Sequence, residues 1–201
     1  MKIPSKEECF RLMAAMETMD HIAHHSFQVC RVALFLTDSL GARQIFLNRD
    51  LVEASARLHD ITKTRSITSG ERHAETAAKL MSDLGYPEVG DIIRQHVRVD
   101  NYSAFTPISE AEIVNYADKR VLHTEVVSLE QRMSYILERY GKTPQNREYI
   151  MANWKQTEEL EEKIFGRLDF PVGQLAEKLG PDNSFTEYLD VRIKSSSDVS
   201  A

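Results

Sequence analysis

Cysteine is almost missing from this 201-residue chain: Cys9 and Cys30 stand far apart and form no C-x-x-C pair. That usage excludes a disulfide-built fold, and the two read as buried thiols in a reducing cytosol. Glycine is also scarce, at eight residues, and period-two alternation is rarer still, so no segment reads as sheet. No apolar run reaches the length of a membrane span, and Met1–Glu8 carries no apolar signal core. The expectation is a soluble cytoplasmic protein without membrane contact. Nor is there a basic excess. Twenty-five Lys and Arg face 31 Asp and Glu, for a net charge of −6, which argues against generic nucleic-acid binding but leaves room for a local basic pocket. What remains is ordinary: 42% apolar and 28% charged residues, enough for one core, with or without an appendage.

Apolar residues recur at three and four almost throughout, the mark of helices. Ser5 to Glu8 has the form of a capping box, opening a helix to about Met19. A second helix is expected from about His24 to Leu40, stopping at Gly41, and a third from Arg49 to about Asp60, capped by Asn48. Residues 61–70, hydroxylated, β-branched and basic, read as a loop. Helices follow over about 71–84 and 87–98, then a loop at 99–108, then a helix from the Ser109/Glu112 box to about His123. Beyond Thr124 long polar side chains dominate. A helix to Tyr140 is followed by one opened by Thr143-Pro144, with a stripe at Ile150, Trp154, Thr157, Leu160 and Ile164. A short helix near 172–179 precedes a tail, 181–201, expected to be partly flexible and frayed from Ser195 onward. The reading is all-α: a core over 1–123 and a helical extension over 124–180.

The chain has seven histidines, and the face each occupies is informative. His25 lines up with Val29, Val32 and Leu36; His73 with Ala77, Leu80 and Leu84; His96 follows Val89, Ile92 and Ile93. His59-Asp60 closes a helix whose inner side is Leu51, Ala54 and Leu58, and Asp118 sits with Val114, Ala117 and Val121. Taken singly, each is more often a satisfied core residue. Together, buried carboxylates and imidazoles need partners, and divalent cations accept both ligand types.

These residues carry a resemblance. His25-Ser26-Phe27-Gln28-Val29, Leu58-His59-Asp60-Ile61-Thr62-Lys63, His73-Ala74-Glu75-Thr76-Ala77, His96 and Tyr116-Ala117-Asp118-Lys119 occur in the order of the HD superfamily of metal-dependent phosphohydrolases. The similarity covers about 24–122, and Thr62 stands where the frequent HDIG variant has glycine. The A-D-K ending is nearer to small bacterial enzymes that cleave dinucleoside polyphosphates.

The resemblance implies an HD-domain helical bundle holding two divalent ions. His25, His59, Asp60 and Asp118 would take one; His73 and His96 would add the second, with Asp60 bridging. Nitrogen and carboxylate ligation without thiolate suits iron or manganese. The implied activity is hydrolysis of a nucleotide or related phosphate ester or anhydride by a metal-bridged hydroxide, with Asp60 and Lys63 as catalytic residues. Lys63 would also contact phosphate, and Arg65 and Arg98 are further anion candidates, though a lone arginine is usually a solvated one. Trp154 and Tyr149 could stack on a base, although the extension's stripe reads first as packing on the core, with a substrate lid or homodimer seam as alternatives. Two other functions stay open: a mixed-valent di-iron oxygenase with the same ligand set, and a non-catalytic nucleotide-binding regulator.

Overall fold

The computed structural model describes residues 1–198, with side chains described through residue 194. Among the described residues eleven α-helices run in order: α1 (Lys6–Ala15), α2 (Asp20–Ala42), α3 (Arg49–Leu58), α4 (Lys63–Ser69), α5 (His73–Asp83), α6 (Pro87–Arg94), α7 (Glu110–Lys119), α8 (Leu129–Tyr140), α9 (Pro144–Phe165), α10 (Leu175–Lys178) and α11 (Ser184–Asp198). Among the described residues the only sheet is a two-residue hairpin, β1 (Val121–Leu122) and β2 (Glu125–Val126), paired antiparallel. The fold class is all-α, as expected.

Local chemistry sets the helix starts. Ser5, Asn48, Ser109 and Thr143 each accept a hydrogen bond from a backbone N–H in the first turn, at Glu8, Leu51, Glu112 and Asn146. The box at Ser109 is complete. At Ser5 only half of it forms, because Glu8 turns away to accept from the Tyr86 hydroxyl.

The central element is α2, which packs against α3 and α7; α5 and α6 form a close pair, and α6 packs against α3 and α7. Gly90 permits that pair's approach, since a Cβ there would lie 2.7 Å from the Ala78 carbonyl oxygen. Residues on α2 such as Val29, Val32, Ala33 and Leu36 are fully buried, so the histidine in the same stripe is carried inward with them.

The structure corrects several boundaries. Residues 61–70 are not a loop: Lys63–Ser69 is helix α4, stopped by Gly70 at φ +72°. Its hydroxyls explain the misreading, for Ser66 and Thr68 donate to carbonyls one turn back, at Lys63 and Arg65. The helix expected to reach His123 ends at Lys119 and gives way to the hairpin. The next helix starts only at Leu129, after a capping box of Ser128 and Gln131.

The extension follows its stripe. Trp154, Thr157, Leu160 and Ile164 are buried, and α9 lies against α7. Full burial of Leu160 and Ile164 contributes about 1.5–3 kcal/mol each to this contact. Where a flexible tail was expected from residue 181, α11 packs on α1 and α2 instead, with Tyr188 buried edge-on to Phe10 and Phe27. The frayed end expected from Ser195 is helical as far as Asp198; residues 199–201 lie outside the described residues.

Candidate metal centre

Five elements bring six side chains together. His25 comes from the middle of α2, His59 and Asp60 from the turn ending α3, His73 from the first residue of α5, His96 from just after α6, and Asp118 from α7. His25 Nε2 lies 3.1 Å from Asp118 Oδ1, and His59 Nε2 lies 3.4 Å from Asp60 Oδ2 and 3.8 Å from Asp118 Oδ1. On the other side, His73 and His96 place their Nε2 atoms 3.3 and 3.7 Å from Asp60 Oδ1. Asp60 therefore stands between two pairs of imidazoles. Two sets, His25/His59/Asp118 and His59/Asp60/His96, have ligand atoms close enough to share a metal ion.

The rings are held from behind. Nδ1 of His25 meets the His123 carbonyl at 3.1 Å, that of His59 the Ala56 carbonyl at 2.8 Å, and that of His96 the Ile93 carbonyl at 2.7 Å. A backbone carbonyl only accepts, so each Nδ1 carries the proton and each Nε2 presents a lone pair to the centre. The His123 carbonyl is available because His123 sits in the hairpin turn at φ +56°.

Burial pushes His25, His73 and His96 toward the neutral form, His96 most strongly. His59 is the exception: burial is the largest single influence and acts to lower it, but Asp60, Asp118 and the Ala56 carbonyl together raise it. Burial alone would raise both carboxyls. Lys63 and His59 instead hold Asp60 well below the ordinary range, and Lys119, His25 and Arg132 do the same for Asp118. The result is anionic oxygen beside three rings, His25, His73 and His96, that favour the neutral form, with His59 held toward protonation by the carboxylates it faces. Asp60 Oδ1 and His59 Nε2 are buried and, among the described residues, make no hydrogen bond. Such atoms are costly unless a partner is supplied, and a divalent cation is the partner this donor set fits.

Lys63 opens α4 and places its ammonium 2.6 Å from Asp60 Oδ2; Lys119 does the same for Asp118 Oδ2, also at 2.6 Å. Arg132 reaches in from α8, 3.6 Å from Asp118 Oδ1, with its Nε buried and unpartnered. These three cations line a cavity of about 440 Å³ with His73, His96 and Asp118 at its floor. Arg132 was missed from sequence, because nothing local in an exposed-looking helix tells which arginine folds back onto residue 118.

Arg65 and Arg98 are not brought into this cavity. Arg65 is half exposed and pairs with Glu71. Arg98 is exposed and, with Arg72 and Arg94, lines a neighbouring depression that meets the main cavity at His73 and Tyr149. Thr62 is buried at φ −98°, where no glycine is needed, and its hydroxyl donates to the His73 carbonyl at 2.8 Å. It secures the start of α5. A larger depression, about 650 Å³ between α6, the 99–108 loop and α7, holds carboxylates but none of the six convergent residues.

The HD domain family matches residues 22–122, half of the chain, and the chain belongs to that family. Its members are mostly metal-dependent phosphohydrolases. Searches of curated proteins and of solved structures gave no significant match. Among the described residues, no helix is long and apolar enough to cross a membrane.

Proposed function

We propose that the chain is a metal-dependent phosphohydrolase acting on a nucleotide or related phosphate ester. The observation that carries this reading is the pairing of a nitrogen-and-carboxylate cluster with three cations, Lys63, Lys119 and Arg132, around one cavity. A cluster alone suits several chemistries; fixed positive charge at its mouth suits an anionic substrate.

In this reading His25, His59, Asp60 and Asp118 hold one divalent ion, and Asp60, His73 and His96 hold a second, with iron or manganese suiting the ligands. Bound there, such ions supply an activated water and neutralise charge developing on phosphoryl oxygens. The chain's own residues do the rest. The carbonyls of His123, Ala56 and Ile93 fix the imidazole tautomers. Lys63 and Lys119 hold the outer oxygens of Asp60 and Asp118, and turn toward phosphate when substrate arrives. Arg132 offers a planar donor set to the same phosphate.

Metal analysis of the purified protein, followed by a phosphate-release screen over nucleotides with manganese and with iron, tests the reading. Release that depends on metal and is lost in Asp60→Ala is expected. Oxygen consumption by the iron-loaded protein without phosphate release would replace it with an oxygenase. Nucleotide binding without turnover on any substrate would replace it with a regulator.

A further inference from the structure

The metal-binding set and the lysines make up only one side of the 440 Å³ cavity. The facing wall comes from α8 and α9, outside the 22–122 stretch that defines the family. That wall is chemically distinct. Ile150 and the small accessible part of the otherwise buried Trp154 present apolar surface from successive turns of α9, Ile136 adds to it from α8, and Tyr149 and Tyr140 stand half exposed at the rim. Between them Asn153 joins the cavity's lining, and among the described residues its carboxamide has no hydrogen-bonding partner. An aromatic surface holds a flat ring by stacking, and a carboxamide both donates and accepts, which matches the edge of a nucleobase better than a plain aryl or aliphatic group. The volume lies within the range for small-molecule sites, roughly 300–1,000 Å³, room for a nucleotide.

We propose that the α8–α9 pair is the specificity wall of the site: it holds the base of a single nucleotide against Trp154 and Tyr149, with Asn153 on its edge, while the phosphate lies on Lys63, Lys119 and Arg132. This rests on the phosphohydrolase reading for the phosphate end only. The base end has its own signal, because Trp154 is the chain's single tryptophan. Its emission reports on this wall and on nothing else.

The test titrates the manganese-loaded full chain with each of the four ribonucleoside 5′-monophosphates and with ribose 5-phosphate, following Trp154 fluorescence after inner-filter correction. At least one nucleotide should quench saturably, while ribose 5-phosphate leaves emission unchanged and displaces that nucleotide only at roughly ten- to hundredfold higher concentration, the worth of one stacked base. Tyr149→Ala and Asn153→Ala, both at positions outside the buried core, should raise KM for that nucleotide about tenfold and reduce its preference over ribose 5-phosphate to a similar extent. No quenching by any nucleotide, or equal binding of ribose 5-phosphate, overturns the wall. Quenching without hydrolysis of any phosphate overturns the phosphohydrolase reading and leaves the wall standing.

Discussion

The Nε2 atoms of His73 and His96 face each other at 3.1 Å. The His96 ring already donates its Nδ1 proton to the Ile93 carbonyl, so its Nε2 carries a lone pair aimed at the other ring. Burial disfavours the charged form of both rings. Two neutral imidazoles so placed gain most by sharing a cation, with Asp60 Oδ1 within 3.7 Å of each. His73→Ala, at a partly exposed helix start, should keep the fold and remove about half the bound metal, and His96→Ala should do likewise. Plasma mass spectrometry with circular dichroism checks both; unchanged stoichiometry in the two variants would rule out a second ion.

Asp60 and Lys63 form one ion pair but are expected to fail differently. Asp60 is shared by both imidazole pairs, so Asp60→Ala should yield metal-poor, inactive protein. Lys63 touches only the outer oxygen of that carboxylate, and about a third of its side chain is exposed. Lys63→Ala should retain metal and lose roughly a hundredfold or more in turnover, the usual loss for one contact to developing charge. Metal loss from the lysine variant would show that Lys63 positions Asp60 and does not serve substrate.

The unequal legibility of this fold has physical causes. His25 shares a helical stripe with residues that must be buried, and a stripe is a local property; the stripes read for His73 and His96 were weaker guides, since Leu84 is exposed and His96 lies just past the end of α6. The caps at Ser5, Asn48, Ser109 and Thr143 were equally local. Helix α4 was not, since its Thr and Ser residues favour caps and turns on propensity, and only the back-bonds of Ser66 and Thr68 and the stop at Gly70 reconcile them with a helix. Arg132 and Asn153 depend on how α8 and α9 fold back, which no periodicity encodes. Helix α11 was read as a tail because its polar end obscured Phe185 and Tyr188, which join a ring cluster with Phe10 and Phe27.

The thiols give a pH prediction away from the metal centre. Burial pushes Cys9 and Cys30 up to about 12 from 9.0. A folded state that keeps these protons longer than the unfolded chain has its full thiol contribution below pH 9 and loses it as pH rises from 9 to 12. Each thiol adds a slope of at most about 1.4 kcal/mol per pH unit in that window. Urea unfolding at pH 8 and pH 10.5 should show a smaller difference for Cys30→Ala than for wild type. At pH 8 neither thiol should react with iodoacetamide until urea is added; rapid alkylation of the folded protein would contradict the burial.

A buried ion pair helps hold α9, and so the proposed base wall, on the core. Lys163 Nζ lies 2.6 Å from Glu112 Oε1, and both side chains are about 95% buried. Glu112 is doubly used, because its Oε2 also accepts from the Ser109 N–H and completes the cap of α7. Lys163 further donates to the Ser103 carbonyl at 3.1 Å, tying the 99–108 loop to the same point. Glu112→Gln preserves the cap but leaves a buried ammonium without its counter-charge, which typically costs about 3–5 kcal/mol. Adding Lys163→Met removes that charge and keeps most of the apolar stem, so the double variant should recover much of the loss. Urea titrations of the single and double variants measure the coupling. A single variant within about 1 kcal/mol of wild type, with no recovery in the double, would mean that apolar contacts such as Leu160 and Ile164 alone seat the helix.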